Sequence, residues 1–189
     1  MIILASKSPR RIEMLKNLGV DFKVSVSNAD ESHEENCNPA ELVSLLSRRK
    51  AEAVECMEGD IVLSADTVVS YNGVILEKPK SREDAVRMLK MLSGNCHQVY
   101  TGFTLKSKDK TVVDFSVTNV RFRKLFDYEI ENYVNTGTPM DKAGSYGIQD
   151  LGCMLVEGIE GDYNTVVGLP LGMVLRYLRD EFGYDVMKL

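Results

Sequence analysis

With 189 residues, 44% of them apolar, the chain can bury the core of one substantial domain or two small lobes, which excludes a disordered polymer. A net charge of −5 excludes a general nucleic-acid coat, though an acidic surface leaves room for a local basic pocket that takes a small polyanion. No run approaches a membrane span and the start turns polar too soon for a secretory signal; four scattered cysteines without metal-ligand spacing point to a reducing cytoplasm rather than to zinc.

The run Ile2-Ile3-Leu4-Ala5 reads as a buried strand, and Ile12, Met14, Leu15 and Leu18 recur at helical spacing. Between them lies Ser6-Lys7-Ser8-Pro9-Arg10-Arg11, a strand-to-helix turn with Ser8 as N-cap and Pro9 at the first helical position. A helix start offers unpaired N–H groups and partial positive charge. Two hydroxyls, Ser6 and Ser8, and two forked guanidiniums, Arg10 and Arg11, would make that start a polyphosphate cradle. Taken alone, the same residues also describe a capped helix with two solvated arginines.

Phe22 to Val26 alternates like a strand, followed by the acidic stretch Asp30 to Glu35. Asn38-Pro39-Ala40-Glu41 is a capping signature that opens a long helix reaching about Cys56. Ile61 to Ala65 reads as a central strand ending at Asp66-Thr67, and Val68 to Leu76 as a hairpin around Asn72-Gly73. Ser81-Arg82-Glu83-Asp84 starts a helix that stops near Gly94. Gln98 to Leu105 and Thr111 to Arg123 read as long strands, and Asp127 to Thr136 as a helix closed by Gly137. The glycine-rich stretch Met140 to Gly168 reads as loops and short strands, before a last helix over Leu171 to Phe182. This order of strands and helices indicates an α/β fold on a mixed sheet.

Asp66, at the expected end of a buried strand, is the best candidate for chemistry, because open α/β sheets place ligands beyond such ends. A carboxylate there can hold a divalent metal or take a proton from water; a turn aspartate capping Val68 is the plain alternative. Glu31 could supply a second carboxylate, although acidic runs are commonly solvated loops. Lys50 and Lys78, singly unremarkable, could join Arg10 and Arg11 in neutralising a triphosphate. Two histidines are too few for a His-rich metal site, Gly144-Ser145-Tyr146-Gly147 lacks the nucleophile-elbow spacing, and no P-loop or G-x-G-x-x-G is present.

Together these segments resemble the Maf-like nucleoside triphosphate pyrophosphatases, over nearly the whole length. The resemblance runs through Ser6-x-Ser8-Pro9-Arg10-Arg11, Asp30-Glu31-Ser32, Arg49-Lys50-Ala51, Ala65-Asp66-Thr67-Val68-Val69 and Lys78-Pro79. It continues through His97 to Gly102, Asp141 to Gln149, and Gly161-Asp162-Tyr163-Asn164 leading to Gly168-Leu169-Pro170. Ala29, before Asp30, is a small departure from the bulkier residue common there. The resemblance implies one Maf-like domain over 1–189, elongated, with two lobes around a central cleft, as in the inosine triphosphate pyrophosphatases. It also implies hydrolysis of a nucleoside triphosphate to the monophosphate and pyrophosphate with a divalent cation, Mg²⁺ or Mn²⁺. Nucleic acid and membrane are not expected partners, and a homodimer stays open.

By the same resemblance, Asp66 is the base, and Arg10, Thr67 and Gln149 are tied to substrate choice. Joined with the reading of the residues, the expected catalytic set is Asp66, Lys78 and Glu31, with Asp66 and Glu31 on the metal, and the expected substrate-binding set is Ser6, Ser8, Arg10, Arg11, Lys50, Thr67 and Gln149. Tyr146-Gly147-Ile148-Gln149 resembles the branch acting on dTTP and UTP, whereas a 7-methyl-GTP branch carries Glu at the Gln149 position. A Gln amide can accept from the N3–H of uracil or thymine and donate to its carbonyl. Flipped, it would suit cytosine, and a buried Gln satisfying loop carbonyls is a further alternative. A nucleotide-binding regulator of septum formation or cell-division arrest is the competing expectation.

Overall fold

The computed structural model describes residues 1–33 and 37–188; Glu34 and Glu35 of the acidic stretch lie outside the described residues. Seven strands form one mixed sheet in the order β2-β1-β3-β5-β6-β7, with β4 paired to β3. The strands are β1 (Ile2–Leu4), β2 (Phe22–Val24), β3 (Ile61–Tyr71), β4 (Val74–Leu76), β5 (Cys96–Lys106), β6 (Thr111–Phe122) and β7 (Val156–Glu160). The helices are α1 (Pro9–Asn17), α2 (Pro39–Glu52), α3 (Arg82–Leu92), α4 (Asp127–Asn135), α5 (Tyr163–Val167) and α6 (Leu171–Phe182). β1 is parallel to both β2 and β3, while β4 and β7 run antiparallel to β3 and β6. Among the described residues no helix is long and apolar enough to cross a membrane.

The chain divides into two compact units: residues 1–66, 101–116 and 168–189, and residues 67–100 and 117–167. In the first, Ile2, Leu4, Leu63 and Ala65 are fully buried, as expected of strands covered on both faces. α2 opens as its sequence indicates, with the Asn38 side chain accepting from the N–H groups of Ala40 and Glu41. It closes at Glu52, a turn earlier than expected: Ala53 is the C-cap, and the Val54 N–H donates to the Ala51 carbonyl in a tighter turn. Gly102 of β5 lets the strand approach the α2 backbone, since a Cβ there would stand 2.4 Å from the Val43 carbonyl oxygen. Two buried polar contacts fix the rest of the α2 packing: Ser64 Oγ donates to the Ser47 carbonyl at 2.5 Å, and the Ser47 and Thr104 hydroxyls meet at 3.0 Å.

In the second unit, α3 and α4 pack with β-strand residues around Leu89, Leu92, Phe122 and Ile130, all at most 1% exposed. The β3–β4 hairpin turns on Asn72 and Gly73, both at positive φ, the two-residue turn that matches strand twist. Ser81 caps α3 by accepting from the Asp84 N–H, and Gly137 at φ 75° follows α4. The stretch 140–168 holds short 3₁₀ turns, β7 and also the short helix α5, which the glycine content conceals.

His97 lies in this core at 2% exposure, edge-on to Phe122 and Tyr146, with Nε2 2.9 Å from the Tyr146 hydroxyl. Its Nδ1 is buried without a hydrogen-bond partner, and burial pulls the imidazole down from 6.5 to about 4. Between those values the unfolded chain binds a proton that the folded chain refuses, so stability falls as pH drops from about 6.5 through about 4. The loss amounts to roughly 3 kcal/mol at the low end of that window. Urea midpoints followed over this range should fall more steeply for the wild type than for His97→Gln; parallel curves would show that His97 titrates alike in both states.

Candidate active site

Within the first unit the chain brings Glu31, Lys50, Asp66 and Arg11 into one neighbourhood. β3 and α2 place two of them. Ser64 and Asp66 are two apart in β3 and share a face, while Ser47 and Lys50 are three apart on α2 and share another. The Ser64–Ser47 bond therefore sets the register for the next contact, in which Lys50 Nζ donates to Asp66 Oδ1 at 2.5 Å. Both side chains are largely shielded, Lys50 at 12% and Asp66 at 14% exposure. The same ammonium lies 3.2 Å from Glu31 Oε1, so one cation bridges two carboxylates.

This corrects the reading of Asp66. β3 does not end there but runs on to Tyr71, so Asp66 is neither a strand-end residue nor a turn cap. No Gly, Pro or Asn interrupts Thr67-Val68-Val69, and β-branched residues carry the strand forward. Thr67, next in β3, is half-buried.

Glu31 is held by a built loop. The Asp30 carboxylate accepts from the Ser32 N–H at 2.9 Å and the Ser32 hydroxyl at 2.8 Å, which keeps Asp30 below its ordinary range. Arg49 Nη1 donates to the Ser32 carbonyl at 2.7 Å. Adjacent residues of α2 thus grip the loop, Arg49 by its backbone and Lys50 by Glu31.

The strand-to-helix turn is organised by Ser6 rather than Ser8. Ser8 occupies the N-cap position of α1, but its side chain makes no capping bond. Instead Ser6 Oγ accepts from the Ser8 N–H and from Arg11 Nη1, both at 3.2 Å. The two arginines consequently differ. Arg11 turns inward and donates from Nε to the Gly168 carbonyl at 2.7 Å. Burial pulls its guanidinium down to about 10, opposed by Asp66 and Glu31 and reinforced by Arg10. Arg10, the second residue of α1, is half-buried, as Arg11 is by surface exposure.

Lys78 and Gln149 belong to the second unit. Lys78 is exposed in the connection after β4 and lines a hollow of about 270 Å³ with Ile75, Lys80, Asp84 and Arg87. Gln149 is exposed, so it is not a buried amide satisfying loop carbonyls. Ser145 is buried with its hydroxyl 3.1 Å from Met88 Sδ, which removes any resemblance to a nucleophile elbow.

Among the described residues no three His, Cys, Asp or Glu side chains cluster as a metal cage. Asp66 and Glu31 nevertheless converge on a point that already holds a positive charge, and their oxygens suit a hard divalent cation. Such a cation commonly takes one or two carboxylates and completes its shell with water and phosphate oxygens. The pair fits that pattern. Tyr133, Lys142 and Asp150, which support the Gln149 turn, were not singled out as site residues; a lysine in a glycine-rich loop was the one available signal.

Strand order, carboxylates and cations define an α/β protein with a charged site built on the first helix, α2 and β3. Its fold resembles that of a HAM1 protein from Coxiella burnetii, with a TM-score of 0.50 over 93% of this chain and 98% of that one, at 14% identity. The chain matches the family described as Maf-like protein over residues 1–181, and it belongs to that family. It is 51% identical to a dTTP/UTP pyrophosphatase of Thermosipho africanus, covering 99% of this chain and 96% of the relative. It is 49% identical to a dTTP/UTP pyrophosphatase of Acetivibrio thermocellus, covering 99% and 98%.

The anchoring of Arg11 is testable. Arg11→Ala strips the Gly168 carbonyl and Ser6 of a charged donor and should lower stability by about 1–3 kcal/mol in a urea titration. An unchanged midpoint would show that this guanidinium does not hold the turn.

Proposed function

We propose that this chain hydrolyses dTTP and UTP, together with modified pyrimidine triphosphates, to the monophosphate and pyrophosphate. The observation that carries this reading is the shielded Lys50 ammonium shared by Asp66 and Glu31 beside Arg11. Kinship with relatives named dTTP/UTP pyrophosphatase supports it and sets the substrate class. Four free cysteines agree with a reducing cytoplasm.

Hydrolysis needs a group to take a proton from water and cations to meet the charge on the departing pyrophosphate. Asp66 takes the proton, with Lys50 holding its carboxylate in place. Arg10 and Ser8 at the start of α1 bind phosphate oxygens, while Arg11 and Ser6 hold that start in shape. Lys78 adds a further cation. Asp66 and Glu31 would hold Mg²⁺ or Mn²⁺, which when bound neutralises phosphate charge. Thr67 and Gln149 face the choice of nucleotide, and Gln149 reads the base by accepting from N3–H and donating to a carbonyl.

Asp66→Asn keeps the shape and removes the proton-accepting charge. Pyrophosphate release at saturating Mg²⁺ should fall on the order of 10²- to 10⁴-fold, with circular dichroism unchanged. A near wild-type rate would remove Asp66 from the chemistry.

Gln149→Glu places an acceptor against a base carbonyl. Its kcat/KM for dTTP and UTP should fall roughly tenfold to a hundredfold, with a smaller loss for 7-methyl-GTP, whose paired donors suit a carboxylate. An unchanged ranking of the four substrates dTTP, UTP, CTP and 7-methyl-GTP would show that Gln149 does not read the base.

A further inference from the structure

An amide reads uracil against cytosine only if it is presented in one orientation, because its flipped form suits the other base. What holds the Gln149 segment is therefore a specificity question. Residues Gly147 to Asp150 form a turn in which the Asp150 N–H donates to the Gly147 carbonyl at 3.4 Å, with Ile148 and Gln149 at its tip. Both ends of this turn meet one side chain. The Gly147 N–H donates to the Tyr133 hydroxyl at 3.1 Å, and that hydroxyl donates to Asp150 Oδ1 at 3.1 Å.

The clasp is backed on every side. Asp150 Oδ1 also accepts from the Gly152 N–H at 2.9 Å, and Asp150 Oδ2 lies 3.4 Å from the buried Lys142 ammonium. Lys142 is itself fixed by the Thr138 carbonyl at 2.6 Å and Asp141 at 2.8 Å. Two glycines make room for these approaches. A Cβ on Gly147 would stand 2.5 Å from Lys142 Cε, and one on Gly152 would stand 2.7 Å from the Tyr133 hydroxyl. Tyr133 is 5% exposed, and burial pushes its phenol above its ordinary range, so it remains a donor. Ile148 packs on the core of the second unit, which leaves Gln149 as the exposed member of the tip.

We propose that Tyr133 is a positioning residue for base choice: its hydroxyl clasps both ends of the Gly147–Asp150 turn and so presents Gln149 in the orientation that favours uracil and thymine over cytosine. This rests on the pyrimidine triphosphate reading above. Tyr133→Phe keeps the ring in the core and removes only the clasp. The buried Gly147 N–H and Asp150 oxygen then lose a shared partner, and the turn gains freedom to offer its amide in either sense.

The experiment is kcat/KM for UTP and CTP, by pyrophosphate release, in the wild type, Tyr133→Phe, Asp150→Ala, Gln149→Ala and the Tyr133→Phe/Gln149→Ala double variant. The UTP-to-CTP ratio should fall about tenfold in Tyr133→Phe and in Asp150→Ala, each of which removes one side of the clasp, mainly through loss on UTP. In the double variant it should fall no further than in Gln149→Ala, because both changes remove one effect. Equal losses on both nucleotides would mark Tyr133 as a general structural residue and overturn the inference while leaving the activity intact. So would a ratio that falls in Tyr133→Phe but falls again, additively, in the double variant. A wild type that releases pyrophosphate from neither nucleotide would instead overturn the functional reading, and this inference with it.

Discussion

A lysine ammonium and an aspartate carboxylate, 2.5 Å apart and each less than 15% exposed, form the contact on which the rest of the site turns. Taking both charges out of water costs several kcal/mol per ion before their attraction returns any of it. A hydrophobic pair of similar volume would commonly serve stability as well. Everything around the pair keeps it in register: buried hydroxyls join α2 to β3 and β5, Gly102 admits the close approach, and Glu31 adds a second negative partner. A shielded pair of this kind makes sense where charge is needed for chemistry rather than for stability.

Local chemistry can be read along the chain where one short segment decides the outcome. Asn38 and Ser81 cap their helices, Asn72-Gly73 turns its hairpin, and Gly137 and Gly183 take the left-handed conformation just beyond helix ends. The motif blocks place Asp66, Glu31 and Lys50 in the sequence, and the fold brings them together. What the segments could not show is decided by partners far away. Arg11 reads as the twin of Arg10 until its bond to the carbonyl of Gly168, 157 residues on, separates them. Asp66 reads as a strand end because the apolar run stops at Ala65, yet β3 continues through it under the pull of cross-strand pairing with β4. Tyr133 carries no motif at all; only the fold of the second unit brings a helix tyrosine under the Gly147–Asp150 turn.

The candidate residues divide between the two units. The first holds Arg10, Arg11, Glu31, Lys50 and Asp66, and the second holds Gln149 on its turn together with Lys78. β3, β5 and β6 each pass from one unit into the other, so Asp66 and Thr67, neighbours in sequence, fall on either side of the division. The charged pair and the Gln149 turn are thereby held in separate packing environments.

Product analysis after incubation of the intact protein with UTP or dTTP and Mg²⁺ addresses the central claim most directly. Cleavage between the α and β phosphates yields nucleoside monophosphate and pyrophosphate in equal amounts, and that is the result expected. Release of inorganic phosphate with the diphosphate, or recovery of intact bound triphosphate without turnover, would contradict it.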